Sequence, residues 1–207
     1  MRPIPRLHAI TDARVLADPD LGKKAAAIAA LGPGSAIHLR DRSATMPALA
    51  ELGRRLGALT RPAESAFVVN GRADLARALG AQGVQLGEED ISVAAARTVL
   101  GTGWIGRSVH SVDGARRAFD DGADYVILGS IFPTASHPDQ TPLGLGALEE
   151  AVKLGHPVVA IGGVTAERAA ECRSAGAWGV AAIRALWDAA DPYAAARELL
   201  APWGEDE

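Results

Sequence analysis

Several short apolar runs in this sequence end in polar side chains whose types suit acid-base chemistry. His38 and Arg40 alternate with apolar neighbours, Ser108 and His110 share the same spacing further along, and Asn70 ends a third run. Residues two apart in a strand share a face, so each pair is expected on one side of its strand. A histidine can carry a proton near neutral pH. Each residue alone could be a satisfied buried or rim polar group, but together they favour one pocket.

A pair of glycines forms a second candidate feature. Gly162 and Gly163 directly follow an apolar run, and Ala182 and Ile183 close the last such run of the chain. Backbone amides that carry little side chain can approach a phosphoryl group closely. The alternative explanation is a tight turn that has no ligand.

Two further segments could contribute chemistry. The loop over residues 131–142 is long and rich in proline and hydroxyl groups, which predicts a lid that includes His137. The acidic run 88–90, which ends at Asp90, could bind a hard cation such as Mg²⁺ or could simply be solvated. Cys172 stands in a predicted helix and is interpreted as packing.

Short β-branched runs alternate with stretches of helical period along the whole chain, and most of these residues lie at the ends of the short runs. The expected strands are Leu7–Thr11, Ala36–Arg40, Ala66–Asn70, Gly83–Gly87, Ile105–His110, Tyr125–Ser130, Val158–Gly162 and Gly179–Ile183. The expected helices are Pro47–Leu59, Ala73–Leu79, Val93–Leu100, Ser111–Asp120, Leu145–Leu154, Ala166–Ala175 and Pro192–Leu200.

Eight such units predict an α/β protein built as a single (β/α)8 TIM barrel over residues 1–207, with a short lead 1–6 and a solvated acidic tail 204–207. A doubly wound open sheet is the alternative, but the first strand lacks the glycine-rich turn of dinucleotide-binding folds. Barrels of this type bind phosphate after strands seven and eight. That placement favours a phosphate site at Gly162 and Gly163 over a tight turn.

Composition excludes several classes of protein. The chain has 207 residues, 21 Lys and Arg against 25 Asp and Glu, and one cysteine. The net charge of −4 leaves no excess of positive charge for nucleic acid, so none is expected as a partner. A single cysteine excludes an internal disulfide framework and fits a cytoplasmic protein. No apolar run reaches the length of a membrane span, so no membrane partner is expected.

Six segments, in order, resemble the superfamily of thiamin phosphate synthases and TenI-type thiazole tautomerases. They are Leu7-His-Ala-Ile-Thr-Asp12, Ile37-His-Leu-Arg-Asp-Arg-Ser43, Asn70-Gly-Arg-Ala-Asp-Leu-Ala76, Gly106-Arg-Ser-Val-His-Ser111, Ala123-Asp-Tyr-Val126 and Ala160-Ile-Gly-Gly163. Together they extend over nearly the whole chain.

The resemblance implies two binding regions in one barrel. A thiazole phosphate would bind at Gly162, Gly163 and the amides near Ala182 and Ile183. In a synthase, the diphosphate of a hydroxymethylpyrimidine would bind with Mg²⁺, and the residues that match its site are Arg40, Arg42, Asn70 and Ser108. Asp90 matches one metal ligand of the synthases. A homodimer is implied as well.

Two departures from the synthase pattern count against a synthase, and two of the segments, Asn70-Gly-Arg and Gly106-Arg-Ser-Val-His-Ser111, resemble the tautomerase branch more closely. That branch moves a proton on a carboxythiazole phosphate without metal or other cofactor. Gly71 stands where synthases have a metal-binding aspartate, and His137 stands where their lid has a lysine. The tautomerase histidine after the sixth-strand glycine is Ser130 here, and an unaided serine is a poor base. The expected proton carrier is therefore His110, or else His38 or His137, while Ser130 positions the ring.

The leading prediction from sequence is thus an isomerase, a thiazole tautomerase. The alternatives are a thiamin phosphate synthase, which is a transferase that uses Mg²⁺, and a non-catalytic regulatory protein that binds a thiazole phosphate.

Overall fold

The computed structural model describes residues 3–134 and 140–204. In these ranges eight parallel strands pair in chain order, and β8 pairs back with β1 to close a barrel. The strands are β1 Leu7–Ile10, β2 Ser35–Leu39, β3 Ala66–Asn70, β4 Gly83–Leu86, β5 Trp104–Val109, β6 Tyr125–Leu128, β7 Val158–Ile161 and β8 Gly179–Ala182. The predicted (β/α)8 barrel is confirmed, and the doubly wound sheet is excluded.

Helices connect the strands on the outside of the barrel. They are α1 Ala13–Leu16, α2 Leu21–Ala29, α3 Met46–Thr60, α4 Ala73–Leu79, α5 Val93–Leu100, α6 Val112–Asp120, α7 Gly144–Val152, α8 Ala166–Ser174, α9 Arg184–Trp187 and α10 Pro192–Leu200. None of the helices within the described ranges is both long and apolar enough to cross a membrane.

Several elements differ from the sequence prediction. Helix α2, which the prediction lacked, fills the first crossover and buries Leu21, Ala25 and Ile28. Most of the strands end one or two residues earlier than expected, because the terminal residues leave the ladder. The backbone N–H of Arg40, for example, donates to Oγ1 of Thr11 at 2.9 Å rather than to a strand carbonyl.

The core has two layers, as a closed barrel requires. Inside the barrel, small and medium side chains such as Ala36, Val68 and Val159 are fully buried. Outside it, residues such as Ile28 and Leu148 fill the space between the sheet and the helices.

The amino-terminal ends of the strands are closed by the lead into β1. Arg6 donates through its guanidinium to the carbonyl of Trp178 at 2.8 Å and lies 3.6 Å above the ring of that residue. The indole N–H of Trp178 donates in turn to the carbonyl of Ile4 at 3.0 Å. An open cavity is therefore left at the carboxyl ends of the strands.

Parts of three predicted segments lie outside the described residues. The predicted lead 1–6 is described from residue 3. The predicted lid is described at 131–134 and 140–142, whereas His137 falls in the gap 135–139. Of the predicted acidic tail, Gly204 is described and residues 205–207 are not.

Candidate active site

A cavity of about 1400 Å³ lies at the carboxyl ends of the strands. Most of the residues singled out from the sequence share its lining: Arg40, Arg42, Asn70, Asp90, Ser108, His110, Ser130, Gly162, Gly163, Ala182 and Ile183. The loops after at least seven of the strands therefore contribute to one site. His38 does not line the cavity.

The β2 side of the cavity carries two arginines. Thr11 fixes the end of β2, since its hydroxyl donates to the carbonyl of His38 at 2.9 Å and accepts from the Arg40 backbone N–H. The Arg40 guanidinium makes no hydrogen bond to any residue in the described ranges. Burial and then the nearby charge of Arg42 lower the pKa of Arg40. An anion bound here would relieve both effects.

Ser108 is held by a buried glutamine on the neighbouring strand. Nε2 of Gln85 donates to Oγ of Ser108 at 3.0 Å, and Gln85 is 1% exposed. Since the Ser108 oxygen already accepts this bond, its own O–H is available to donate into the cavity. This suits an anionic oxygen of a ligand.

His110 lies at the end of β5 and is tied to the end of β6. Its Nδ1 lies 2.6 Å from the carbonyl oxygen of Gly129, which can only accept, so Nδ1 carries the proton. In the neutral ring, Nε2 is then the free acceptor. The side chain is exposed at the cavity mouth.

The β7 side of the cavity is shaped by glycines. Gly162 and Gly163 have φ angles of +100° and +64°, a region that favours glycine. A Cβ on Gly162 would lie 2.6 Å from Cβ of Ser130, so a larger residue would also clash. Thr165 then caps α8 by accepting from the Arg168 backbone N–H at 3.4 Å. The site leaves bare backbone beside Ser130, as a phosphate cradle requires.

Asp90 sits in an acidic loop after β4. Its Oδ2 accepts from the Gly87 N–H at 2.6 Å, and Arg107 donates to the carbonyls of Glu88 and Ile91 at 2.9 and 3.0 Å, which fixes the loop. The Cβ position of Gly71 lies 3.3 Å from the same carboxylate oxygen. A side chain at Gly71 would therefore stand directly beside Asp90.

His38 lies beneath the cavity, not at its mouth. It is fully buried in β2, with Nδ1 3.0 Å from the amide of Asn70 and Nε2 2.9 Å from Nδ1 of His8. Strand alternation correctly placed His38 on the same face as Arg40. Because His38 precedes Arg40 by two residues, its side chain lies one layer deeper in the barrel. It is therefore held away from the open space that a ligand can reach.

Sequence reasoning missed several residues of the site. Arg168 and Arg184 line the cavity near the glycines, and Asp12 lines it beside β1. Arg184 lies two residues after the end of β8 and Asp12 two residues after the end of β1, so strand-end position could have identified them. Arg168 lies in the first turn of α8, where a charge looks like ordinary helix surface. His8 and Tyr125 stand inside the barrel, where only the alternation within β1 and β6 marks them.

The comparisons with known proteins agree with this geometry. A family model described as thiamine monophosphate synthase matches residues 7–186. The thiamine-phosphate synthase of Moorella thermoacetica is 45% identical over 173 residues, which are 81% of each chain. That of Halorhodospira halophila is 42% identical over 205 residues, which are 95% of this chain and 93% of that protein.

A solved structure is similar over the whole barrel. The thiamine phosphate pyrophosphorylase from Pyrococcus furiosus superposes with a TM-score of 0.85 at 35% identity, covering 97% of this chain and 96% of that one.

The prediction of an isomerase, a thiazole tautomerase, is wrong, because relatives that match most of the chain are named thiamine-phosphate synthases. The expectation of a metal-free reaction belonged to that prediction, and the synthase relatives are consistent with the Mg²⁺ alternative. The error has a physical origin. The motifs that favoured the tautomerase branch, around Asn70 and Ser108, end two strands of the cavity wall, and single residues there do not fix the reaction, which depends on the whole set of residues around the cavity. The chain belongs to the thiamine monophosphate synthase family.

Proposed function

We propose that this protein is a thiamine-phosphate synthase, a transferase that joins a hydroxymethylpyrimidine diphosphate to a thiazole phosphate. The observation that carries the proposal is a single cavity whose lining includes two groups of residues suited to binding anions. One group consists of Arg40, Arg42 and Ser108, and the other consists of the glycines after β7. A reaction between two phosphorylated compounds needs two such groups in one cavity. The names of the relatives support this choice of substrates.

The reaction consists of one bond exchange. The C–O bond between the pyrimidine methylene and the diphosphate breaks, and its electron pair leaves with the diphosphate. The thiazole nitrogen supplies the electron pair of the new C–N bond. No proton is transferred, so the task of the protein is to place the two substrates in line and to stabilise the charge of the leaving group.

The β2 and β5 strand ends are proposed to hold the leaving diphosphate. Arg40 is half-buried and its guanidinium has no hydrogen-bond partner in the described part of the chain, while the Ser108 O–H is directed by Gln85. Charge-assisted bonds from these groups strengthen as the diphosphate gains charge. Asn70 lies between them in the cavity wall, next to the pyrimidine.

The β7 and β8 strand ends are proposed to hold the thiazole phosphate. Gly162 and Gly163 leave the backbone open, and Ala182 and Ile183 extend the same wall with small or aliphatic side chains. Ser130 faces Gly162 across this end. His110, with Nε2 as an acceptor at the mouth, is proposed to orient the thiazole ring rather than to move a proton.

A magnesium ion is consistent with the acidic loop. Across the described ranges, no cluster of three or more His, Cys, Asp or Glu side chains could hold a metal alone. Mg²⁺, however, is commonly bound by one or two carboxylates together with substrate phosphates and water. Asp90 fits this mode, because one of its oxygens accepts from Gly87 and the other has no donor in the described residues. When bound, the ion would neutralise charge on the leaving diphosphate.

The proposal is tested by measuring pyrophosphate release by the purified chain of residues 1–207, which we propose acts as one barrel domain. Release is expected only when both substrates and Mg²⁺ are present, and omission of any one should reduce it to background. Release that is equally fast without the thiazole phosphate would show a hydrolase and would contradict the proposal.

A further inference from the structure

Beneath the cavity, three side chains form a buried hydrogen-bonded chain that ends at the cavity wall. Nε2 of His8 lies 3.0 Å from the carbonyl oxygen of Pro5, and Nδ1 of His8 lies 2.9 Å from Nε2 of His38. Nδ1 of His38 lies 3.0 Å from Oδ1 of Asn70. The two histidines are 1% and 0% exposed and lie outside the cavity lining, whereas Asn70 is part of it.

The first link of this chain sets the direction of all the others. The carbonyl of Pro5 can only accept, so Nε2 of His8 must carry a proton and donate. A neutral His8 then has a bare Nδ1, and Nε2 of His38 must donate to it. A neutral His38 has in turn a bare Nδ1, which needs a donor from Asn70.

Both rings are neutral at physiological pH. Burial lowers the pKa of His8 to about 4, and burial together with the neighbouring His8 lowers that of His38 well below its usual value. The hydrogen-bond partners of the two rings in the described residues are Pro5, Asn70 and each other, and none carries a negative charge that would hold a second proton. Each ring therefore has one proton.

The amide of Asn70 can meet the bare nitrogen in only one orientation. Oxygen and nitrogen of an asparagine amide exchange places by a half-turn about the Cβ–Cγ bond. With Oδ1 toward a bare Nδ1, two lone pairs would face each other. After the half-turn, Nδ2 donates to His38 and Oδ1 is presented to the cavity.

We infer that His8, acting through His38, orients Asn70 so that its oxygen accepts a hydrogen bond from the bound substrate. Asn70 then selects a donor group and does not bind a phosphate oxygen. Ser108 is oriented in the opposite sense by Gln85 and offers a proton. The cavity wall thus binds two neighbouring parts of one ligand. Asn70 accepts from the amine on the pyrimidine ring, and Ser108 donates to the anionic oxygens. The identity of the amine rests on the proposed function, but the direction of the hydrogen bonds from His8 to Asn70 does not.

The orientation is tested on the unliganded protein by long-range ¹H–¹⁵N NMR of ¹⁵N-histidine-labelled samples near pH 7. The patterns of two-bond couplings distinguish a ring protonated at Nε2 from one protonated at Nδ1. Both His8 and His38 are expected to be neutral and protonated at Nε2. A His38 ring protonated at Nδ1, or at both nitrogens, would overturn the inference whatever the activity of the protein.

The role in recognition is tested with two ligands, the pyrimidine diphosphate and an analogue that has hydrogen in place of the ring amine. In the unmodified protein, loss of the amine should raise Kd about tenfold. In His8→Phe, His38 can reverse its tautomer and Asn70 can turn, so the same loss should raise Kd less than about twofold. His8→Gln keeps an acceptor and a donor and should retain most of the difference.

Equal penalties in the unmodified protein and His8→Phe would contradict the inference, as would equal binding of the two ligands by the unmodified protein. If His8→Phe does not fold, His8→Gln and the NMR experiment still decide it. A chain that binds neither ligand would instead count against the proposed function, because the tautomers are measured without ligand.

Discussion

Nη1 of Arg168 donates to the carbonyl oxygen of Gly163 at 2.6 Å, and the same guanidinium lies 4.8 Å from the ring of Phe132. One side chain of α8 thus ties the loop after β7 to the loop after β6. The Phe132 N–H donates to the carbonyl of Gly162 at 3.1 Å, so the two loops are joined at a second point. These contacts of Arg168 with Gly163 and Phe132, called the clamp below, keep the glycine backbone open at the proposed thiazole phosphate end and add a positive charge there.

Replacing this clamp should affect one substrate only. Arg168→Met is expected to raise KM for the thiazole phosphate about tenfold or more, since a hydrogen bond from a charged group is lost. KM for the pyrimidine diphosphate should change less than about twofold. Steady-state kinetics with each substrate varied in turn measures both values. Arg55→Met, on the exposed surface of α3, is the control, and an equal effect of both variants would contradict this role.

A methyl group at Gly162 should block the cradle, the open backbone at Gly162 and Gly163 that is proposed to bind the thiazole phosphate. In Gly162→Ala the new Cβ would lie 2.6 Å from Cβ of Ser130 at a φ of +100°, so strain and a clash coincide. The expected cost is about 1–3 kcal/mol in the free energy of unfolding, with loss of thiazole phosphate binding by calorimetry. Gly146→Ala is the matched control, because its Cβ would meet no atom within 4 Å. Undiminished binding by Gly162→Ala would exclude the glycines as the cradle.

The acidic loop should set the requirement for magnesium. Asp90→Asn removes the charge but keeps the shape, and it is expected to raise the Mg²⁺ concentration for half-maximal rate about tenfold. The rate should largely recover at saturating Mg²⁺. A titration with Mg²⁺ of the unmodified protein, Asp90→Asn and Glu89→Gln checks this. Unchanged behaviour of Asp90→Asn, or an equal shift in Glu89→Gln, would place the metal elsewhere.

The buried histidines should make the fold sensitive to acid. Burial lowers the pKa of His8 from 6.5 to about 4, so between these values the unfolded chain binds a proton that the folded chain does not. The contribution of His8 to the free energy of unfolding is therefore fully present above pH 6.5 and falls as the pH drops toward 4, by about 3 kcal/mol. Urea unfolding at several pH values measures the slope. His8→Gln should show a shallower slope, and identical slopes would refute the assignment.

The sequence predicted the barrel well because its signals are local. Short β-branched runs and helical periods define eight units, and the Gly162-Gly163 pair marks the turn after β7 without any knowledge of the fold. Alternation also placed His38 and Arg40 on one face. Their depth was not predictable, since whether a side chain reaches the cavity depends on the stagger of the strands around the closed barrel.

Other features of the site depend on contacts between residues that are far apart in the sequence. Arg168 becomes part of the site only because Phe132 and Gly163 lie beside it in space. The choice between family branches failed for a related reason. Gly71 and His137 were weighed as single replacements, whereas the reaction depends on the whole cavity, in which Asp90 and the arginines remain.

The central claim is that one cavity joins two phosphorylated substrates, and ³¹P NMR of a single tube containing both substrates, Mg²⁺ and the protein tests it most directly. The account predicts that the diphosphate ester signals disappear and a pyrophosphate signal appears, while the thiazole phosphate shifts to that of the joined product at the same rate. Loss of the diphosphate ester without a shift of the thiazole phosphate, or no change while both substrates bind, would contradict it.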